Sequence, residues 1–576
     1  MHVPHHSVSP RWILASALAA PFLAACGGGG SDSGGLVDTP LPQLSAASAA
    51  ALQSCNDLAS KFSFANTTVT AAEAVAAGTL TVAGKPVRAH CKVTGRMFDR
   101  VGPVDGVAYA IGFEMRLPND WNGRFFYQAN GGIDGSVVTA TGGINGGGAL
   151  DNALNMGFAV VSSDAGHKGS QGPAFGIDPQ ARLDYGYQAV GKLTPMAKGL
   201  IQTAYGKAPD RSYIGGCSNG GRHTMVAASR YASQYDGFLV GDPGYRLPLA
   251  AIANIAGAQQ YAKLATNPAD LGTGFTVAER TLVNTAVLGK CDALDGATDG
   301  LVQDTGACQA AFNLQRDVPT CSGARDGTCL SSAQKTAIAG LFSGATTATG
   351  KKIYASFPYD AGLNTGGWAS WKFSAPLTLD SGGVGQIWSV PPTPTASFNG
   401  PVLALTGNLD NMLTSVAATS TLYTESAMSF MLPPNPSDLT AVRNRGAKVM
   451  LYHGTADPIF SSDDSTAWYE SLRATYTANA DKFARFYRVP GMNHCSGGPA
   501  TDQFDMLTPL VNWVEKGQAP DSVVANARGA GNAAAVNTDL PADWAANRSR
   551  PLCAYPKVAR YNGSGDVNDA ASFSCK

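Results

Sequence analysis

The chain has 576 residues, is 44% hydrophobic and carries a formal net charge of −1. That balance excludes an intrinsically disordered chain and offers no basic footprint for nucleic acid, while the length allows a large core and more than one domain. Charged residues make up only 14% and glycine reaches 67, a composition that suits an exported, loop-rich chain better than a cytosolic helical one.

In chain order, Arg11 precedes an apolar run from Trp12 to Ala25 that is too short to span a bilayer comfortably. Residues 1–25 therefore read as a signal peptide. The run ends in Leu23-Ala24-Ala25-Cys26, which resembles a bacterial lipobox, so Cys26 is expected to be lipidated and to anchor the protein in the cell envelope. Residues 26–50, glycine-rich and then Pro-, Ser- and Ala-rich, read as a flexible linker. Eleven cysteines less Cys26 leave ten, and an even number in an exported chain implies disulfides. Proximity pairs Cys55 with Cys91, Cys291 with Cys308, Cys321 with Cys329 and Cys553 with Cys575, and leaves Cys217 and Cys495.

From about residue 106 the chain reads as strands separated by turns. Val107 to Leu117 alternates, Arg124 to Tyr127 is a short strand running into Asn130-Gly131-Gly132, and Phe158 to Val161 is a continuous apolar run suited to a buried parallel sheet. Tyr187 to Tyr205 reads as a helix, Ser212 to Ile214 as a strand, Arg222 to Tyr235 as a helix and Phe238 to Val240 as a strand. The alternation stops between residues 246 and 440, then resumes with strands at Lys448 to His453 and Phe483 to Val489. An amphipathic helix is predicted from Gln503 to Lys516. Two halves of an α/β sheet, 51–245 and 441–576, thus flank an insertion placed to act as a lid.

Between the strand at Ser212 and the helix at Arg222 lies Gly216-Cys217-Ser218-Asn219-Gly220, the only G-x-S-x-G in the chain. Strand, glycine turn and helix make this a nucleophile elbow, with Ser218 at a helix N-terminus that favours developing negative charge. A serine hydroxyl needs a base, and α/β-hydrolases place the acid and then the histidine after the serine. Of eight histidines only His453 and His494 follow Ser218 at a distance. Asp457 follows the strand ending at His453, and His494 follows the strand ending at Val489, so Ser218, Asp457 and His494 are the expected nucleophile, acid and base. Asp463 and Asp464 are weaker candidates for the acid. The backbone N–H of Asn219 supplies one oxyanion donor, and Gly132, with Gly131 next to it, is favoured for the other. Cys217 and Cys495 each adjoin a proposed catalytic residue, so a bond between them would clamp the nucleophile turn to the histidine loop.

These motifs, together with His453-Gly454-Thr455-Ala456-Asp457 and Gly491-Met492-Asn493-His494-Cys495, resemble those of the tannase/feruloyl esterase family. The resemblance covers nearly all of the chain after the linker. It implies an α/β-hydrolase fold with a large inserted lid domain, a Cys217–Cys495 bond and hydrolysis of aromatic-acid esters of the feruloyl, galloyl or terephthalate-monoester type through an acyl-enzyme. The alternative is a catalytically inactive surface lipoprotein that binds aromatic or cell-wall ligands.

The loop Cys291 to Leu301 carries three carboxylates among glycines, which suits a hard cation. The resemblance assigns calcium there, held by the side chains of Asp292, Asp295 and Asp299 and the carbonyls of Ala297 and Leu301. It also places Leu247, Trp371 and Phe460 against the aromatic acid. Members that cleave terephthalate monoesters grip the free carboxylate with a lid arginine, but this chain has no arginine between Arg325 and Arg443. Lys372 lies in that stretch without the planar fork of a guanidinium.

Overall fold

The computed structural model describes residues 41–143, 146, 148 and 151–576. The predicted signal peptide, Cys26 and the glycine-rich run after it lie outside the described residues. Nine strands form the central sheet: β1 (Thr67–Val75), β2 (His90–Val101), β3 (Ala108–Pro118), β4 (Arg124–Gln128), β5 (Ala159–Ser163), β6 (Arg211–Cys217), β7 (Gly237–Gly241), β8 (Lys448–Gly454) and β9 (Ala484–Val489). They lie in the order β1-β2-β3-β5-β4-β6-β7-β8-β9. The first three strands pair antiparallel, β3 meets β5 antiparallel, and every later pairing is parallel.

Each parallel strand is apolar on both faces because helices cover both sides. Phe125, Val161, Ile214, Phe238, Val240, Val449 and Leu451 share one apolar cluster with α1 (Ala189–Tyr205), α2 (Asn219–Arg230) and the helix Ser462–Tyr476. Their alternates Phe126, Val160, Tyr213, Leu239, Met450 and Tyr452 pack in a second cluster with the helix Leu507–Lys516. The period of two along each strand thus splits its side chains between two cores. Burial of each large apolar side chain contributes about 1.5–3 kcal/mol.

The structure adds β1 and β2, which sequence patterning left out. The run Thr67–Val75 is mostly threonine and alanine, and register shifts near Val69 and Met97 interrupt the alternation. Residues 41–50, read from composition as linker, lie along the body. Ala50–Ala51 pairs with Asp120–Trp121, the Ala47 N–H donates to Glu515, and Arg211 donates to the Ser45 carbonyl. The predicted helix from Gln503 begins only at Leu507, where Asp505 accepts the N–H groups of Leu507 and Thr508.

Between β7 and β8 the chain forms mainly short helices around α3 (Leu247–Leu264). This insertion has an apolar cluster of its own around Tyr261, Phe275, Val283 and Ile338. A further cluster, with Leu247, Trp388 and Met431, also takes in Tyr109, Tyr185 and Phe460. Residues 41–576 form one compact unit. The five disulfides pair as the sequence suggests, Cys217–Cys495 included. Among the described residues no helix is long and apolar enough to cross a membrane.

Candidate active site

Strand β6 ends at Cys217, and Ser218 follows with φ 66° and ψ −127° before α2 begins at Asn219. A non-glycine residue in this region costs on the order of 1–3 kcal/mol, which the surrounding packing must offset. The Ser218 N–H donates to the Gly241 carbonyl at 3.0 Å, fixing the turn to the end of β7. A side chain at Gly216 or Gly220 would collide with the Ala129 carbonyl, so the sharp turn requires glycine at both positions.

The ends of three parallel strands bring the predicted residues together. Ser218 Oγ lies 2.8 Å from His494 Nε2, and His494 Nδ1 lies 2.7 Å from Asp457 Oδ2. A carboxylate only accepts, so Nδ1 carries the proton and Nε2 is left to accept from the serine hydroxyl. Asp457 is buried, and its other oxygen accepts from the N–H groups of Ile459 and Phe460 at 2.8 and 3.0 Å. Burial pushes the Asp457 carboxyl up, but the His494 charge and hydrogen bonds from His453 and His494 more than reverse this and hold it well below the usual carboxylate range. Asp463 and Asp464 are engaged elsewhere, with Ser356 and Arg246. The Cys217–Cys495 bond joins the neighbours of the serine and the histidine across 278 residues of sequence.

Two further buried residues lie behind this array, Asp242 and His453, the first residue of the His453–Asp457 motif. Asp242 accepts the Gly454 N–H at 2.6 Å through one oxygen and the Cys495 N–H at 3.1 Å through the other. Burial raises its pKa against the opposing charges of His453 and His494. His453 Nε2 donates to the Phe460 carbonyl at 3.0 Å and lies 3.4 Å from Asp457 Oδ2, while Nδ1 meets Ser465 Oγ at 2.8 Å. Burial disfavours the charged imidazole of His453, but the Asp457 hydrogen bond and the Asp242 charge outweigh it and hold the pKa above its ordinary value.

Beside Ser218 runs the loop from Asn130 to Asp134. The Asn130 side chain donates to the Ser163 carbonyl at 2.7 Å and to Ser162 Oγ at 3.0 Å, tying the loop to β5. A Cβ at Gly131 would come into ordinary contact with Ser218, and Gly132 has φ 64°, a conformation that favours glycine. Gly131, Gly132, Ser218, Trp371 and His494 line an open cleft of about 580 Å³.

Aromatic rings flank the histidine. The Trp371 and Phe460 ring centroids each lie 5.2 Å from that of His494, both edge-on. Leu247 is buried in the apolar cluster that contains Phe460, with Trp371 packed against it. Trp368 is core, buried against Phe275 and Phe373. Lys372 does not reach the cleft. Its ammonium lies 4.0 Å from the Phe357 ring centroid, in an enclosed pocket behind Asp457, and burial lowers its pKa to about 8 against the charges of Asp457 and Asp380. Among the described residues lining the cleft there is no lysine or arginine.

Asp292, Asp295 and Asp299 are buried together in the insertion. Asp292 accepts the Asp299 and Gly300 N–H groups, and Arg550 pairs with Asp299. Asp295 Oδ1 accepts the Ala297 N–H, but its Oδ2 is buried without a partner. Three carboxylates and one orphaned oxygen, with Arg550 on the Asp299 carboxylate and Arg548 on its carbonyl, are donor types that suit a hard divalent cation.

The family profile described as tannase and feruloyl esterase matches residues 91–576. The mono(2-hydroxyethyl) terephthalate hydrolase of Piscinibacter sakaiensis is 40% identical over 523 residues, covering 84% of each chain. The feruloyl esterase B of Aspergillus niger is 28% identical over 571 residues, covering 94% of this chain and 99% of its own. Among solved structures, feruloyl esterase B from Aspergillus oryzae superposes with a TM-score of 0.70 at 24% identity, covering 90% of this chain and 98% of that one. With the profile spanning β2 to the C-terminus, the chain belongs to the tannase and feruloyl esterase family of carboxylic ester hydrolases.

Proposed function

We propose that the protein hydrolyses esters of aromatic carboxylic acids with Ser218 as nucleophile, His494 as base and Asp457 as acid. The observation that carries this reading is the hydrogen-bonded run Ser218–His494–Asp457, beside a cleft walled by Trp371, with Phe460 edge-on to the same imidazole. Ser218 attacks the ester carbonyl while His494 Nε2 takes the hydroxyl proton. The tetrahedral oxyanion is met by the Asn219 N–H and an N–H of Gly131 or Gly132, each donor worth about 3 kcal/mol. His494 returns the proton to the departing alcohol, leaving an acyl-enzyme that water hydrolyses by the same route in reverse. Asp457 holds the imidazole tautomer and stabilises the imidazolium. An intact array favours this over an inactive binding lipoprotein.

Feruloyl- and galloyl-type acids are the substrates proposed ahead of a terephthalate monoester, because a free carboxylate finds no cation among the described lining residues. Calcium is the cation proposed at Asp292, Asp295 and Asp299, with the Ala297 and Leu301 carbonyls completing the set. The Arg550–Asp299 pair and the Arg560 bond to the Leu294 carbonyl join this loop to the C-terminal segment, so the ion would hold the lid to the body. Export with a lipid anchor at Cys26 is part of the same proposal, supported by five disulfides that suit an oxidising compartment.

A hydrolysis panel of methyl ferulate, methyl gallate and the terephthalate monoester tests the substrate reading. Higher kcat/KM on the first two is expected, and a strong preference for the monoester would overturn it. A fluorophosphonate probe tests the nucleophile, since wild type should be labelled at Ser218 and Ser218→Ala should not.

A further inference from the structure

We infer that Asp134 is a positioning residue that holds both oxyanion donors in place through a closed ring with Asn219, Arg222 and His223. The inference rests on the reading of the Asn219 and Gly131–Gly132 amides as those donors.

Asp134 ends the glycine loop, and its Oδ2 accepts from Asn219 Nδ2 at 2.8 Å and from His223 Nε2 at 2.9 Å. Because the carboxylate only accepts, His223 carries its proton on Nε2 and presents a lone pair at Nδ1. Arg222 Nη2 sits against the His223 ring, 3.1 Å from Nδ1 and 3.3 Å from Nε2, and Arg222 Nε donates to Asn219 Oδ1 at 2.6 Å. Guanidinium and carboxylate are therefore bridged twice, by the hydrogen bonds of the Asn219 amide and by a neutral imidazole that donates to the carboxylate and packs against the guanidinium. The guanidinium is fixed further by the carbonyls of Tyr185, Gly186 and Met431. Asn219, Arg222 and His223 are buried, and the Asp134 side chain is 2% exposed.

The ring lies where two otherwise separate pieces meet. Asn219 opens α2 one residue after Ser218, and Asp134 closes the loop whose other end is tied to β5 by Asn130. Between these two anchors Gly131 and Gly132 have no side chains with which to fix their own amides, and glycine loses the most freedom on ordering. Asp134 is thus the link that sets the loop amides against the helix that carries the Asn219 amide. A bare carboxylate lining this cleft would oppose a developing oxyanion. The double bridge to Arg222 keeps the ring neutral overall. Oxyanion donors act mainly in the transition state, so loosening them should lower kcat and leave KM nearly untouched.

The test compares a methyl ester of an aromatic acid with its thionoester, whose sulfur is a poor acceptor for oxyanion donors. Wild type should reject the thionoester more strongly than hydroxide ion does. Asp134→Ala should lower kcat on the ester by on the order of 10²-fold with KM changed by less than about threefold, and should move the ester-to-thionoester ratio toward that of hydroxide. Asp134→Asn, whose amide oxygen can accept both bonds, should recover at least about tenfold of that loss. If Asp134→Ala does not fold, His223→Leu, which leaves Asp134 holding Asn219 alone, takes its place. A wild-type ratio in the variant, with loss seen only in melting temperature, overturns the positioning role. A wild type that does not discriminate overturns the oxyanion reading, and the inference with it.

Discussion

Asp242 accepts the backbone N–H of Cys495 at 3.1 Å, so the loop that delivers His494 hangs on a carboxylate at the end of β7. The other oxygen of Asp242 holds Gly454, three residues before Asp457. One buried side chain therefore sets the acid and the base relative to each other, beside the strand that carries Ser218. Asp242→Asn replaces one acceptor with a donor facing a backbone N–H, which costs about 1–3 kcal/mol. We expect a lower melting temperature and a loss of kcat of at least about tenfold, because small displacements of reacting groups cost rate heavily. Melting curves and steady-state kinetics on one ester check this.

The Cys217–Cys495 bond closes the longest of the five disulfide loops, 278 residues apart. Removing such a bond costs about 2–5 kcal/mol. It also frees the serine turn from the histidine loop. The double variant Cys217→Ser/Cys495→Ser should lose both thermal stability and kcat. Cys321→Ser/Cys329→Ser, remote from the array, serves as the comparison and should lose far less kcat. Equal losses in the two variants would show that the clamp has no special bearing on the array.

The positions of Ser218, Asp457 and His494 were legible in the sequence because each sits just past a strand whose apolar run is unmistakable, and because their order along the chain is restrictive. The fold was legible where strands are buried on both faces, as at Phe238 to Val240, and not where alanine and threonine dilute the signal, as at Thr67–Val75. The structural roles of Asp242, His453 and Asp134 were not legible, for a different reason. Their work is done by pairing with residues from 4 to more than 250 positions away, and no local spacing encodes that. Composition read residues 41–50 as linker, since contacts such as Arg211 with Ser45 depend on main-chain carbonyls that every residue possesses.

Asp164 gives a pH prediction. It follows β5, and its Oδ1 accepts the N–H groups of Gly112 and Gly166 at 2.9 Å. Burial pushes its carboxyl up to about 7, although those two hydrogen bonds oppose the shift. The folded state then binds this proton more tightly than the unfolded chain. Its contribution is fully present below about pH 4 and is lost as pH rises through about 7. Asp164→Asn keeps an oxygen for both N–H groups and cannot titrate. Relative to wild type, the variant should therefore gain stability between pH 4.5 and pH 8, by on the order of a few kcal/mol. Denaturant unfolding of both proteins at the two pH values measures the difference, and a constant offset would refute it.

The carboxylate loop of the insertion predicts a response to chelation. Asp295 Oδ2 is buried with no partner, and the charges of Asp292 and Asp299 face it, with Arg550 paired to the Asp299 carboxylate and Arg548 to the Asp299 carbonyl. A calcium ion seated there would stabilise the folded state by about 2.7 kcal/mol at a hundredfold excess over its Kd. EGTA should lower the melting temperature of wild type, and added calcium should restore it. Magnesium should not, because it demands octahedral geometry and gives up its waters reluctantly. Asp295→Ala removes the orphaned oxygen, so its melting temperature should no longer respond to either treatment. A wild type unmoved by EGTA, with no calcium found by metal analysis of the purified protein, would rule the site out. A response that persists in Asp295→Ala would place the ion elsewhere.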